Sequence, residues 1–326
     1  MTQDRSPTCW VLSDGTMGME VQSLGLAAAA GLDVEVKRIP PRKLLRVAPV
    51  LGHFLPITPS SEGATLTSPW PDVVIGCGRR MAGAVLAVKR MSGGTTYSVQ
   101  VQNPGSCRNL FDSLVVPEHD GVAGENVIET IGSLNNLTSD VLAEQAEHIR
   151  PLVLDLPKPW IVVNIGGNNQ RYSYGPEQVE ALAQKLKATA HESGGSLLVT
   201  CSRRTDEMTK TALREKLKDA HCYLWTEGEP NPYRGFLALG EAFIVTSDSV
   251  NMISEACSTG RPVLVETMGD DGRRIQAFHR SMEQRGLTRP FSGSLEHWGN
   301  DGLDETTKAG RVLRQRLDLY LGNHSS

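Results

Sequence analysis

The 326-residue sequence holds no C-x-x-C pair, no uninterrupted apolar run of membrane-spanning length and no large surplus of charge of either sign. Its six cysteines (Cys9, Cys77, Cys107, Cys201, Cys222 and Cys257) are scattered, several in or beside apolar runs. That pattern excludes a disulfide frame and a zinc ribbon, and reads as small core residues kept reduced. A formal net charge of −4 argues against a general nucleic-acid binder. The polar start MTQDRSPT lacks the apolar core of a signal peptide. Without a stretch long enough for a bilayer, the expectation is a cytoplasmic protein or one peripheral at the inner membrane. No G-x-G-x-x-G follows the first strand, so no dinucleotide site is expected there.

What is present is an ordinary globular composition, 39% hydrophobic and 21% charged, in a chain long enough for two domains. The most informative stretch is 241–266. Its apolar run Ala242–Val245 enters the polar loop Thr246-Ser247-Asp248-Ser249, and helical spacing of Val250, Ile253 and Cys257 follows. Gly260 can stop that helix before a second apolar run at Pro262–Val265. Short continuous apolar runs suit parallel strands covered on both faces. A hydroxyl-rich loop at a helix start offers free N–H groups and a positive dipole end to a phosphate, which makes Ser247, Ser249 and Asn251 candidate contacts. Glu255, one to two turns further on, is placed to accept hydrogen bonds from ribose hydroxyls. The plainer alternative is a capped βαβ unit, with Ser249 as the cap and Glu255 solvated.

In the first half, the strand Cys9–Ser13 runs into Asp14-Gly15-Thr16-Met17-Gly18-Met19-Glu20 and then a helix. Strand, glycine-containing turn and helix form the opening unit of a Rossmann-like domain, with the carboxylates of Asp14 and Glu20 near the strand's C-terminal end. Gly15 and Gly18 let backbone approach a ligand. Arg79 and Arg80 open a later helix behind Gly76-Cys77-Gly78 and form a candidate anion site. Basic residues beside apolar ones in 40–56 suit an acceptor groove or an anionic membrane surface. His119 follows a strand, where a His can act as a base, but a surface loop residue is the commoner case. Leu134–Ile149 has helical spacing, and Pro151, Pro157 and Pro159 then mark a boundary. The α/β alternation restarts at Trp160–Ile165, leading to Gly166-Gly167-Asn168, a turn that repeats the logic of Asp14–Gly18. Arg203 and Arg204 follow another strand and can pair with diphosphate oxygens. Asp270 and Asp271 have no third carboxylate spaced to complete a magnesium site, so no metal is expected.

Two sets of residues carry a resemblance. Ser249–Ala256 with Gly260-Arg261-Pro262-Val263 resembles the donor-nucleotide motif of GT-B glycosyltransferases. WVLSDGTMGMEVQSLGLAAAAGL, with PDVVIGCGRRMAGAVLAVKR and VQVQNP, resembles the mitochondrial-fission Elm-type family. The resemblance implies an α/β chain of two Rossmann-like domains facing a cleft (GT-B type). Domains are expected at 1–152 (acceptor side) and 158–303 (donor side), with 304–326 a last helix returning to the first. It implies a metal-independent glycosyltransferase, with no cofactor, moving sugar from a nucleoside diphosphate sugar to a glycan or lipid-linked acceptor. Gly166, Gly167 and Asn168 then meet the donor diphosphate, Asn168 standing where related enzymes carry Ser. Glu20 falls where related enzymes place a catalytic His and becomes the expected base, with Asp14 in reserve. Two rivals share the fold: a non-catalytic membrane-associated scaffold and a sugar-nucleotide epimerase.

Overall fold

The structure, a computed structural model, describes residues 5–40, 48–54, 65–167, 174–228, 230–269 and 272–324. The chain divides into two compact units. One takes residues up to Asn136 together with those from Asp304 onward, and the other takes Leu137–Leu303.

The first unit runs β1 (Thr8–Ser13), α1 (Met17–Ala29), β2 (Asp33–Arg38), β3 (Val73–Cys77), α2 (Arg79–Met91), β4 (Tyr97–Val101), β5 (Ser113–Pro117) and β6 (Val127–Thr130). The chain's last helix, Glu305–His324, also belongs to it. Its six strands are all parallel, in the order β2-β1-β3-β4-β5-β6. The period-two alternation of a strand divides β1 between two cores. Cys9 and Val11 join Leu26 and Ala27 of α1 and Leu313 and Leu317 of the last helix. Trp10 and Leu12 join Val85 and Leu86 of α2 on the other face. Each fully buried Leu or Val contributes about 1.5–3 kcal/mol by leaving water, so covering both faces is what makes a parallel sheet stable here. Because β1 lies between β2 and β3, the crossovers diverge at β1/β3. Open α/β sheets bind ligands at the carboxyl ends of the strands at such a switch point.

The second unit runs α3 (Ser139–Ile149), β7 (Trp160–Ile165), α4 (Pro176–Ser193), β8 (Ser196–Cys201), α5 (Glu207–Leu217), β9 (Cys222–Trp225), α6 (Tyr233–Leu239), β10 (Ala242–Thr246), α7 (Val250–Cys257), β11 (Val263–Glu266), α8 (Gly272–Gln284) and β12 (Arg289–Pro290). The last helix of the chain is therefore α9. These six strands are parallel too, in the order β12-β11-β10-β7-β8-β9. The first strand, β7, thus sits centrally, with β8 and β9 on one side and β10, β11 and β12 on the other. That is the order of the doubly wound nucleotide-binding fold, and its switch point is β7/β10. The strands WIVVNI, SLLVTC and AFIVT are buried along their whole length.

The boundary differs from the expected 152. Helix α3 belongs to the second unit, where Gly235 of α6 packs so tightly that any side chain there would collide with Ile149. The proline cluster marks the entry to β7, not the change of unit. Residues 304–326 belong to the first unit, where Gly310 of α9 lies against Ala29 of α1. All six cysteines are free, five buried and Cys222 half-buried. Among the described residues, no helix is long and apolar enough to cross a membrane.

Candidate functional site

In the second unit, the loops after β7 and β10 meet at the switch point. The Gly166 amide donates to Thr246 Oγ1 (2.8 Å) and the Gly167 amide to Asp248 Oδ2 (3.2 Å). Neither position tolerates a Cβ: at Gly166 it would overlap the Asp248 carboxylate, and at Gly167 the Arg204 carbonyl. Asp248 also accepts from Tyr174 Oη (2.6 Å), Thr246 Oγ1 (2.8 Å) and Arg204 Nη2 (2.8 Å). Arg204 Nη1 reaches the Gly167 carbonyl at 3.2 Å. Arg203 and Arg204 are both exposed at the end of β8. Gly166, Gly167 and Arg204 are thus brought together, and Asn168 lies outside the described residues.

Helix α7 begins at the same edge. Ser249 is its N-cap, its hydroxyl accepting the Met252 amide at 3.4 Å, and Asn251 is half-buried in the first turn. Ser247, by contrast, is fully buried, and its hydroxyl accepts the Met268 amide at 3.3 Å. Glu255 is not the solvated residue of the plainer reading. It is half-buried, hydrogen-bonded by the Tyr233 hydroxyl at the start of α6, and burial raises its pKa against the opposing pull of Tyr233 and Arg234. Asp248 and Tyr233 are the residues that sequence reasoning passed over. The local signal for Asp248 was its place in the loop after β10, and nothing nearby in sequence marked Tyr233.

In the first unit, Asp14 and Glu20 lie at the C-terminal edge beside the β1/β3 switch point. Glu20 holds Arg38 through both carboxylate oxygens, at 2.7 and 3.1 Å. The Arg38 guanidinium, against the effect of burial and aided by the Ser13 hydroxyl, keeps Glu20 below its ordinary pKa. Asp14 accepts from the Thr16 amide (3.0 Å) and from Arg80 Nη1 (3.1 Å). Burial alone would raise Asp14, but the Thr16 hydroxyl and amide and Arg80 together hold it below the usual carboxylate range. Gly15 donates to Ser13 Oγ at 3.0 Å, Gly18 accepts from the Gln22 side chain, and Arg79 is exposed at the start of α2. Gln102, at φ +68°, is the one non-glycine among the described residues with left-handed backbone, and its amide reaches Met19 Sδ at 3.3 Å. Such backbone costs about 1–3 kcal/mol and clusters at functional sites.

Other expected features fall elsewhere. The His119 side chain is not on the surface: it is buried, 3.8 Å from Asp120. Of the 40–56 stretch, residues 41–47 and 55–56 lie outside the described residues, Pro49–His53 forms a short 3-10 helix, and Phe54 is exposed. Asp270 and Asp271 also lie outside them. A cavity of about 680 Å³ opens over Trp10, Lys37 and Trp70, but its cations are already engaged. Lys37 is on Glu35 and the Trp10 ring, and Arg5 is on Asp72.

Comparison with known proteins places this architecture. A family model described as Mitochondrial fission ELM1 matches residues 17–317. The chain is 32% identical to the mitochondrial fission protein ELM1 of Arabidopsis thaliana over 274 residues, 76% of this chain and 64% of the plant protein. It is 23% identical to the uncharacterized protein RP120 of Rickettsia prowazekii (strain Madrid E), covering 95% of this chain and 98% of that one. Among solved structures, the UDP-GlcNAc 2-epimerase of Methanocaldococcus jannaschii in complex with UDP-GlcNAc and UDP superposes with a TM-score of 0.54 at 12% identity, over 95% of this chain and 99% of that one. Arabidopsis thaliana UGT89C1 complexed with UDP gives 0.52 at 14% identity, over 97% and 94%. At such identities the two structures establish the fold, which is GT-B, and no more. By the family model that spans it from 17 to 317, the chain belongs to the mitochondrial fission ELM1 family.

Proposed function

We propose that this protein binds a nucleoside diphosphate sugar at the β7/β10 edge of its second unit and transfers the sugar, without a metal ion, to a glycan or lipid-linked acceptor. The observation that carries the reading is the meeting, at one switch point, of the exposed Arg204, held on the Gly167 carbonyl, and the Ser249-capped start of α7, with Arg203 exposed next to Arg204 in the chain. Glu255 lies further along α7, where it serves the ribose by exchanging its Tyr233 hydrogen bond for the sugar's hydroxyls. The Methanocaldococcus jannaschii epimerase and Arabidopsis thaliana UGT89C1, both of this fold and both solved with UDP, support the same ligand class.

Sugar transfer then makes three demands. The diphosphate leaves with negative charge, which Arg203, Arg204 and the amides of the α7 start neutralise. The oxocarbenium-like centre needs a preorganised polar site. The acceptor hydroxyl needs a base, assigned to Glu20 with Asp14 in reserve. Both carboxylates are held ionised, so either accepts a proton at neutral pH. A base works best with a pKa near the operating pH, so Glu20 must loosen its Arg38 pair to act. That pairing favours a second reading, a non-catalytic scaffold of the same fold, because Glu20, Asp14 and Glu255 are all engaged by neighbouring side chains.

The test is a thermal-shift series with UDP, GDP, ADP, CMP and their sugar forms on wild type and Glu255→Ala. Ligand at a hundred times its dissociation constant adds roughly 2.7 kcal/mol, a visible rise in Tm. A shift with one nucleotide, lost in the variant, supports the reading and names the base. No shift with any of them overturns it. Turnover of that donor without acceptor would reassign the protein as an epimerase.

A further inference from the structure

We propose that Asp248 is the positioning residue of this edge, a buried carboxylate that fixes the Gly166-Gly167 turn and presents Arg204 to the diphosphate of a bound nucleotide. The inference rests on the nucleotide-binding reading above and adds a residue to it. The Asp248 side chain is wholly shielded from solvent, whereas Arg204 keeps 41% of its side-chain exposure. A lone buried carboxylate is costly, and here the cost is offset by Gly167 N, Tyr174 Oη, Thr246 Oγ1 and Arg204 Nη2, all donating to it. These donors come from separate parts of the unit: the loop after β7, the stretch before α4, the end of β10 and the loop after β8. An ionised carboxylate only accepts hydrogen bonds, so four donors converging on one side chain suit Asp and would leave an Asn amide facing donors.

The consequence for binding follows from the arginine. A free guanidinium on an exposed side chain loses rotamer freedom when it clamps a phosphate. With Nη2 on Asp248 and Nη1 on the Gly167 carbonyl, Arg204 is already ordered. Its exposed portion meets the ligand without that loss. The same carboxylate holds the turn in place: at Gly166 even a methyl group would overlap it. The two glycines thus answer to Asp248 and Arg204, and the ligand meets a turn that is set before it arrives.

The experiment is isothermal titration of UDP and of uridine, with GDP and guanosine run alongside, against wild type, Asp248→Asn, Asp248→Ala, Arg204→Ala and the double variant Asp248→Ala/Arg204→Ala. The expected result is diphosphate-specific. Asp248→Ala weakens the nucleoside diphosphate by about tenfold or more and leaves its nucleoside within about twofold. Arg204→Ala does the same, and the double variant is no worse than either, because the two residues act as one. Asp248→Asn, which keeps the shape without the charge, falls between. A purely structural role would weaken nucleoside and diphosphate in parallel. That parallel loss in Asp248→Asn, with the fold retained by circular dichroism, overturns the proposal. So does unchanged or tighter diphosphate binding in either Asp248 variant, tighter binding meaning that the carboxylate competes with phosphate. If wild type binds none of these four ligands and shows no thermal shift with ADP, CMP or any of the sugar forms, the nucleotide reading falls and takes this inference with it.

Discussion

Glu255 and Glu20 are carboxylates shifted in opposite directions, and each shift sets a pH dependence that can be measured. Burial raises Glu255 in the folded protein, so the native state holds its proton to higher pH than the unfolded chain does. Stability therefore declines as pH climbs from the ordinary carboxylate range through the raised value. Glu255→Gln keeps a partner for Tyr233 and removes the charge, so its Tm should lack that decline. A Tm series from about pH 5 to pH 8 compares the two. Glu20 behaves conversely. Its pairing with Arg38 lowers its pKa, so the stability it contributes is present above the unfolded value and is lost as pH falls through the folded one. Arg38→Ala removes the largest lowering influence and returns Glu20 toward the ordinary carboxylate range. With Glu20 as the base, the acid limb of the kcat/KM profile then moves to higher pH, and Glu20→Gln abolishes turnover; an unmoved limb assigns the base elsewhere. Asp248 marks where sequence reading ends at this level. Its arginine and tyrosine partners stand 44 and 74 positions away, so its neighbours advertised only a hydroxyl-rich loop. Ser247 misled for the same reason: a polar residue after a strand looks available, and here it is sealed inside.

Elements were easier to read, because apolar runs and caps are local properties. WIVVNI and AFIVT carry the signature of covered parallel strands, and the unit around them is the doubly wound one that their spacing and turns implied. Ser249 closes α7 through a long hydrogen bond, 3.4 Å. Ser249→Ala should therefore cost the second unit about 0.5–1 kcal/mol, at the low end for such caps, with Ser249→Gly costing less, as read by urea denaturation. Packing partners were not local. The helical spacing before Ile149 predicts a buried face but not which core receives it, and a proline cluster further on drew the boundary too late. Contact between α1 and α9 can be tested through Gly310, where an added methyl meets Ala29. Gly310→Ala should destabilise the first unit by about 1–3 kcal/mol through overpacking, although alanine is intrinsically the better helix former. A neutral or stabilising outcome would show that the two helices do not pack this closely.

For the molecule as a whole, the division of the chain matters more than any one element. Leu313 and Leu317 are buried completely in the first unit's core, so removing 304–326 should strip protection from amides of β1, β3 and β4 in hydrogen exchange. Amides of β7, β8 and β10 should keep theirs. Equal loss in both sheets would contradict the two-unit division. A fold hosts many chemistries, and the site decides among them, which is why family membership and architecture could be reached from motifs while the reaction and its substrates could not. There is also an order in time built into this plan. The second unit is one uninterrupted run, Leu137–Leu303, threaded between the two pieces of the first. On a ribosome, where domains fold as units while the chain emerges, the later-coded unit is the first to have all its parts. The opening sheet must wait, with the apolar face of α1 uncovered, until the closing helix leaves the exit tunnel. A chain stalled between the two would carry a finished second unit attached to an unfinished neighbour, a natural client for chaperones.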